Sequence, residues 1–141
     1  MMKNQQGITL IETIVAIAIL SIAIFAIINI FPKGIQIIKT AERNTVAAFL
    51  AQEKIEELES LPYGDIPIGT IEEKQKMSND PDNPFYYYQR ETEIIYVDPD
   101  NGLAQSQTDL GIKQIKTTIY WFATTDNQEK TLSIYALRSQ R

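Results

Sequence analysis

The chain has no cysteine and no histidine. Without cysteine no disulfide can form, and the redox compartment leaves no trace in the sequence. Without either residue the usual soft metal ligands are missing, which nearly excludes a zinc or haem site. Base-activated nucleophiles are reduced to Ser or Thr with Lys or an acid. No G-x-S-x-G, Walker loop or dinucleotide fingerprint occurs. Glu91 and Glu93 share one strand face, and water is their expected surrounding. With no catalytic constellation, the chain reads as a non-enzyme that needs neither cofactor nor metal.

Positive charge is also scarce. Lys and Arg number 13 against 18 Asp and Glu, a net charge of −5. Phosphate contacts need surplus cations, so no nucleic acid is expected as partner. Tyr86, Tyr87 and Tyr88 have rings that could stack on bases. Residues 62–141, however, hold 8 Lys or Arg against 12 Asp or Glu. Sheet core and a partner interface are the better uses of those rings. Asp80, Asp82 and Asn83, and likewise Asp98, Asp100 and Asn101, offer oxygen atoms but lack the spaced loop of an EF-hand. Beside Pro and Gly such residues form turns.

Charge is rarest at the front. After Lys3-Asn4-Gln5-Gln6-Gly7 comes ITLIETIVAIAILSIAIFAIINIF, from Ile8 to Phe31, in which Glu12 is the only charged residue. About 20 apolar residues suffice to span a bilayer. In lipid the backbone must satisfy itself, so the run is expected to be helical. It is about twice too long for a secretory h-region, and Glu12 sits where that region should be uncharged. Ala16-Ile17-Ala18 has the small-x-small cleavage pattern but lies inside the run. A lone acid in a membrane segment is a functional hypothesis by default. The obvious partner for Glu12 is an amine created by cutting after Gly7.

Pro32 and Gly34 are the first interruption, where a kink or loosened turn is expected. A second helical pattern follows to Leu61. Ile38, Ala41, Thr45, Ala48, Ile55 and Leu58 recur at three- and four-residue steps, with Lys39, Glu42, Arg43, Glu53, Glu56 and Glu57 on the other face. Ser60-Leu61-Pro62-Tyr63-Gly64 ends it. Together these make one helix of about 50 residues, roughly 75–80 Å at 1.5 Å per residue. Pro62 to Pro84 reads as loop, a short edge strand within it being the one alternative. Phe85 to Val97 is dense in aromatic and β-branched residues and reads as strand. Asp98-Pro99-Asp100-Asn101-Gly102 is a turn. Ile115, Thr117, Ile119 and Trp121 alternate with Lys116, Thr118 and Tyr120. After a turn at Thr125-Asp126-Asn127-Gln128, Leu132, Ile134 and Ala136 alternate with Thr131, Ser133 and Tyr135. These two runs predict an antiparallel hairpin. The fold class is α+β: a long N-terminal helix whose amphipathic half packs on a small antiparallel sheet.

The N-terminus resembles that of type IV prepilins and pseudopilins. The resemblance rests on Gly7, an apolar residue after it, Thr9-Leu10-Ile11-Glu12 and the run behind them. It departs from the commonest pattern at Ile8, where the family more often has Phe or Met, and at its proline, found at Pro32 rather than near Asn29. Leu50-Ala51-Gln52-Glu53-Lys54-Ile55-Glu56-Glu57-Leu58, with Ser60-Leu61-Pro62-Tyr63, is similar to minor subunits of the PilV and GspI kind. The resemblance implies a pilin-like fold divided into a leader (1–7), a transmembrane and filament-core helix (8–31), an amphipathic helix (32–61) and a sheet head (62–141). A prepilin peptidase would cut after Gly7 and methylate the new amine of Ile8. Removing a leader whose only charge is Lys3 takes the net charge from −5 to −6. Ammonium and Glu12 carboxylate would neutralise one another in low dielectric, and a broken desolvated pair is heavily penalised. Leu10, Ile14, Ile17, Ala18, Ile22 and Phe25 would pack on neighbours.

The implied partners are the peptidase, other major and minor pilin subunits, the inner-membrane assembly machinery and the lipid bilayer. The implied place is the cytoplasmic membrane, head outside, and then an extracellular pilus or periplasmic pseudopilus. The expected role is a minor subunit that primes assembly or sits near the filament tip. Retention of Glu12 implies a place beneath another subunit. Two alternatives remain: a minor pseudopilin of type II secretion, and a single-pass anchored extracellular binding module unrelated to filaments.

Overall fold

The computed structural model describes residues 9–123 and 128–140. The chain divides into two compact units, Met1–Lys39 and Thr40–Arg141. One helix, α1 (Leu10–Glu59), contributes to both. Within the first unit it opens on Thr9, whose Oγ1 accepts the backbone N–H of Glu12 at 3.3 Å and so takes up one orphan donor of the first turn. α1 runs without a break through Pro32 and Gly34. The loosened turn expected there is therefore not a break in the helix, although proline withholds the donor that the Ile28 carbonyl would normally receive.

In the second unit α1 buries Ala47, Leu50, Ala51, Ile55 and Leu58. The steps of three and four residues give one continuous face. Ile55 and Leu58 were expected there. The other members differ from the sequence reading: Ala41 and Thr45 are exposed, as is Ile38, and Ala48 is half-buried. Two neighbouring rows of this helix are apolar, and the sheet occupies the row in which Ala47 and Ala51 permit close approach. Arg43 is half-buried, and its Nη1 donates to the Phe122 carbonyl oxygen at 2.6 Å.

The sheet holds β1 (Gly69–Lys76), β2 (Tyr88–Asp98), β3 (Ala104–Ser106), β4 (Ile112–Phe122) and β5 (Glu129–Ser139), with 3-10 turns at Tyr63–Asp65 and Pro99–Asn101. Strand order is β1-β2-β4-β5, β3 pairs with β2, and every pairing is antiparallel. β1 is the edge strand allowed for between Pro62 and Pro84. The aromatic run divides: Phe85, Tyr86 and Tyr87 lie in turns, and β2 starts at Tyr88. β4 and β5 form the expected hairpin, in unbroken register from Ile112↔Ser139 to Phe122↔Glu129. Of the turn expected at its tip, residues 125–127 lie outside the described residues.

The core has two clusters. Ala47, Leu50 and Ala51 pack with Tyr88, Ile119 and Trp121; Ile55 and Leu58 pack with Ile66, Ile94 and Ile115. Alternate residues of β2 and β4 supply the sheet side, as a period of two requires. The turn at Asp98 is fixed by its own side chain, whose Oδ1 accepts from the Asp100 N–H at 2.9 Å. Gly102 follows with φ 60°, a left-handed conformation that glycine adopts without steric cost.

Candidate functional site

The candidate site is the apolar part of α1. It contains a window long and apolar enough to cross a membrane, and 0% of that window is buried in the protein. Leu10 is 81% exposed and Phe25 68%; Ile14, Ile17, Ala18 and Ile22 are exposed as well. A row of large aliphatic and aromatic side chains with no covering element is expected where lipid or another chain takes water's place. Helical geometry groups Leu10, Ile14, Ile17, Ala18 and Phe25 on one side, with Ile22 at its margin. Glu12 lies two residues beyond Leu10, about 200° around the helix, and so on the other side. Helix formation thus separates the acid from the apolar row that the sequence puts beside it.

The polar side chains within the run bond inside the helix. Ser21 Oγ donates to the Ile17 carbonyl at 2.7 Å, and Asn29 Nδ2 to the Phe25 carbonyl at 2.8 Å. Thr13 Oγ1 does the same to Thr9 at 3.3 Å. Glu12 is the exception, exposed in the first turn. The helix end favours its negative charge there. Gly7 and Ile8, the expected cleavage site and new terminus, lie outside the described residues.

The head holds charged groups that local pattern did not reveal. Lys113 is buried on β4, and its Nζ donates to the carbonyl oxygens of Tyr63 and Ile66, both at 2.7 Å. It also stands 4.3 Å from the centre of the Tyr63 ring. Tyr63 in turn donates to Asp109 Oδ1 at 2.5 Å. Burial, then the hydrogen bond to Asp109, raises the Tyr63 phenol well above its ordinary value. Glu72 on β1 accepts from Arg90 Nε at 2.8 Å and from Thr92 Oγ1 at 3.1 Å. Burial opposes its ionisation, but the bonds from Arg90, Gln75 and Thr92 with the Arg90 charge outweigh that and hold the carboxyl below its usual range. Glu91, expected in water, is half-buried and accepts from the Tyr120 hydroxyl, which the bond pushes up to about 12. For Lys113 and Glu91 the signal in sequence was a charged residue inside an alternating strand; Glu72 had no such signal, because β1 alternates little.

Asp80 and Asp98 act as turn formers, each accepting from the N–H two residues on. Tyr88 is core, whereas Tyr87 is exposed and meets Tyr86 edge-on at 5.2 Å. Among the described residues no three acids gather as a metal site would require.

Residues 2–28 match the family model described as the prokaryotic N-terminal methylation motif. The match takes in Gly7, Ile8, Glu12 and the run to Ile28, and it supports a precursor whose N-terminus is cut and methylated. No curated protein and no solved structure matches the chain.

Proposed function

We propose that this type IV pilin-like prepilin precursor is a minor structural subunit of a type IV pilus or related filament, with no reaction of its own. Processing would cut after Gly7 and leave a methylated ammonium on Ile8. The mature helix waits in the cytoplasmic membrane with the head outside, and assembly machinery transfers it into a bundle of like helices beside other pilins. Placement near the filament tip rests on the resemblance to minor subunits, and a place beneath another subunit on the retained Glu12.

One observation carries the reading. A helix otherwise uncharged from Leu10 to Phe31 exposes both a continuous packing row and, on its other side, one acid. A subunit in a bundle meets neighbours on more than one side, and this helix offers each side a different contact. Lipid tails are as apolar as Leu, so hydrophobic burial does not drive the transfer. Close packing of the Leu10–Phe25 row contributes, and the Glu12 carboxylate adds a specific attraction to an ammonium in low dielectric.

The test is Glu12→Val, followed by two readouts in the native host. Leader removal proceeds as in the unaltered chain, while the amount of subunit in sheared filaments falls to background. Normal incorporation of the variant contradicts the charge match. Failure to remove the leader from the unaltered chain contradicts the filament reading altogether and favours a plain anchor. A filament that stays in the periplasm with secretion of exoproteins favours the secretion pseudopilin.

A further inference from the structure

β5 is an end strand of the sheet. Two backbone bonds fix which of its groups face outward. At the tip of the hairpin the Ala123 N–H donates to the Gln128 carbonyl at 3.0 Å, and at the far end the Gln140 N–H donates to the Gly111 carbonyl at 3.0 Å. Directly opposed residues in an antiparallel pair alternate between bonded and non-bonded. Counting inward from either end gives one answer: Glu129, Thr131, Ser133, Tyr135, Leu137 and Ser139 turn their N–H and C=O away from β4.

Proteins usually blunt such edges with bulges, proline or lysine. β1, the opposite edge, follows that rule, with two register shifts and Lys74 and Lys76 near its end. β5 has no register shift and no proline, its one lysine, Lys130, stands at the hairpin end, and its outward residues include the exposed Tyr135 and Leu137. One edge is guarded and the other is open.

Arg138 adds an independent observation. It lies directly across from buried Lys113, on the sheet face that packs on the helix. Its Nε is buried and has no hydrogen-bond partner among the described residues. Lys113 already directs its ammonium to two carbonyl oxygens. The residues of β5 on this face are Lys130, Leu132, Ile134, Ala136 and Arg138, without an acid. A second copy of β5 cannot supply one, because antiparallel pairing through the outward groups sets this row against itself.

We infer that the open edge of β5 accepts an extended segment of another protein chain as an added strand, and that a carboxylate of that segment meets Arg138. Main-chain bonds to the six outward residues supply affinity, and the carboxylate supplies selectivity. The inference concerns the head alone and does not depend on what the N-terminal helix does.

The test uses the full chain in detergent micelles, isotope-labelled for amide exchange. The probes are two synthetic strands about ten residues long, of alternating threonine and valine, one bearing a single glutamate and the other glutamine in its place. The glutamate strand slows exchange at the outward N–H groups of β5 and binds about tenfold more tightly than the glutamine strand. Arg138→Gln removes that difference. Thr131→Pro, which deletes an outward donor without touching the ladder, weakens both strands and leaves the unfolding temperature within a few degrees. Protection elsewhere on the sheet overturns the inference. So does equal binding of the two strands, or binding of neither. Self-association of the chain that Thr131→Pro abolishes would also overturn it, since the occupant would then be a second copy.

Discussion

Lys113 and Ile66, forty-seven residues apart, are joined by a buried hydrogen bond of 2.7 Å from ammonium to carbonyl oxygen. A second bond of 2.7 Å reaches the carbonyl of Tyr63. Both carbonyls belong to the turn that carries the chain from α1 toward β1, so a single β4 side chain ties that turn down. Lys113→Met keeps most of the apolar stem but leaves both carbonyls without their donor. The expected loss is about 2–4 kcal/mol, since bonds to charged groups are worth roughly 1.5–3 kcal/mol each and the variant recovers some burial. Urea unfolding of the full chain in micelles, followed by Trp121 fluorescence, reads it. An unchanged midpoint would show that the ammonium does not hold the turn.

Glu72 links stability to acid pH. Its carboxyl lies below the usual range in the folded chain, because the contacts from Arg90, Gln75 and Thr92 outweigh the burial that opposes ionisation. A depressed folded value means that the unfolded chain binds the proton first. The stabilisation is fully present above the unfolded value, about 4.3, and is lost as pH falls through the folded one. Urea midpoints should therefore drop between about pH 5 and pH 3, and Glu72→Gln should reduce that slope. Asp109 is shifted the same way by its bonds from Tyr63 and Gly111, so some slope persists in the variant. An identical slope in both proteins would contradict the assignment to Glu72.

Tyr120 makes the opposite prediction at alkaline pH. The hydrogen bond to Glu91, with burial, pushes its phenol up to about 12. Unfolded tyrosine ionises near 10. The folded chain thus keeps a proton that the unfolded chain releases, and stability declines as pH rises from about 10 toward 12. Tyr120→Phe should flatten part of this decline, with Tyr63 and the buried Tyr88, both also raised, contributing to what remains. A decline of the same size in Tyr120→Phe would remove Tyr120 from the account.

The phase of α1 is open to direct measurement. Ala51 is fully buried against the sheet and Ala41 is exposed. Ala51→Leu should cost about 1–3 kcal/mol by overpacking. Ala41→Leu should stay within about 0.5 kcal/mol. The reverse order would mean that the sheet covers the row the sequence first suggested.

These residues also show what the chain's pattern could disclose. The apolar run with Glu12 was legible because lipid leaves a helix no alternative, and the β4–β5 hairpin because Ile115, Thr117, Ile119 and Trp121 alternate. The turn at Asp98–Gly102 was legible from its turn-forming residues. The helix phase was not. Ala41, Thr45 and Ala48 form as regular a row as Ala47 and Ala51, and only the sheet decides between them. β1 was weakly marked, because Glu72, Glu73, Lys74 and Lys76 give it little apolar alternation; its partner Arg90 is eighteen residues away. Lys113 resembled any charged residue in an alternating strand, and its burial depends on a turn fifty residues earlier. Long-range pairing of polar groups is what local periodicity does not encode.

The most direct measurement is the intact mass of the protein isolated from the membrane of its natural host. The account predicts a chain that begins at Ile8 with a methylated amine, the cation that the Glu12 carboxylate needs once both lie in hydrocarbon. A chain still carrying Met1 to Gly7 would contradict it, for then no ammonium exists beside that acid.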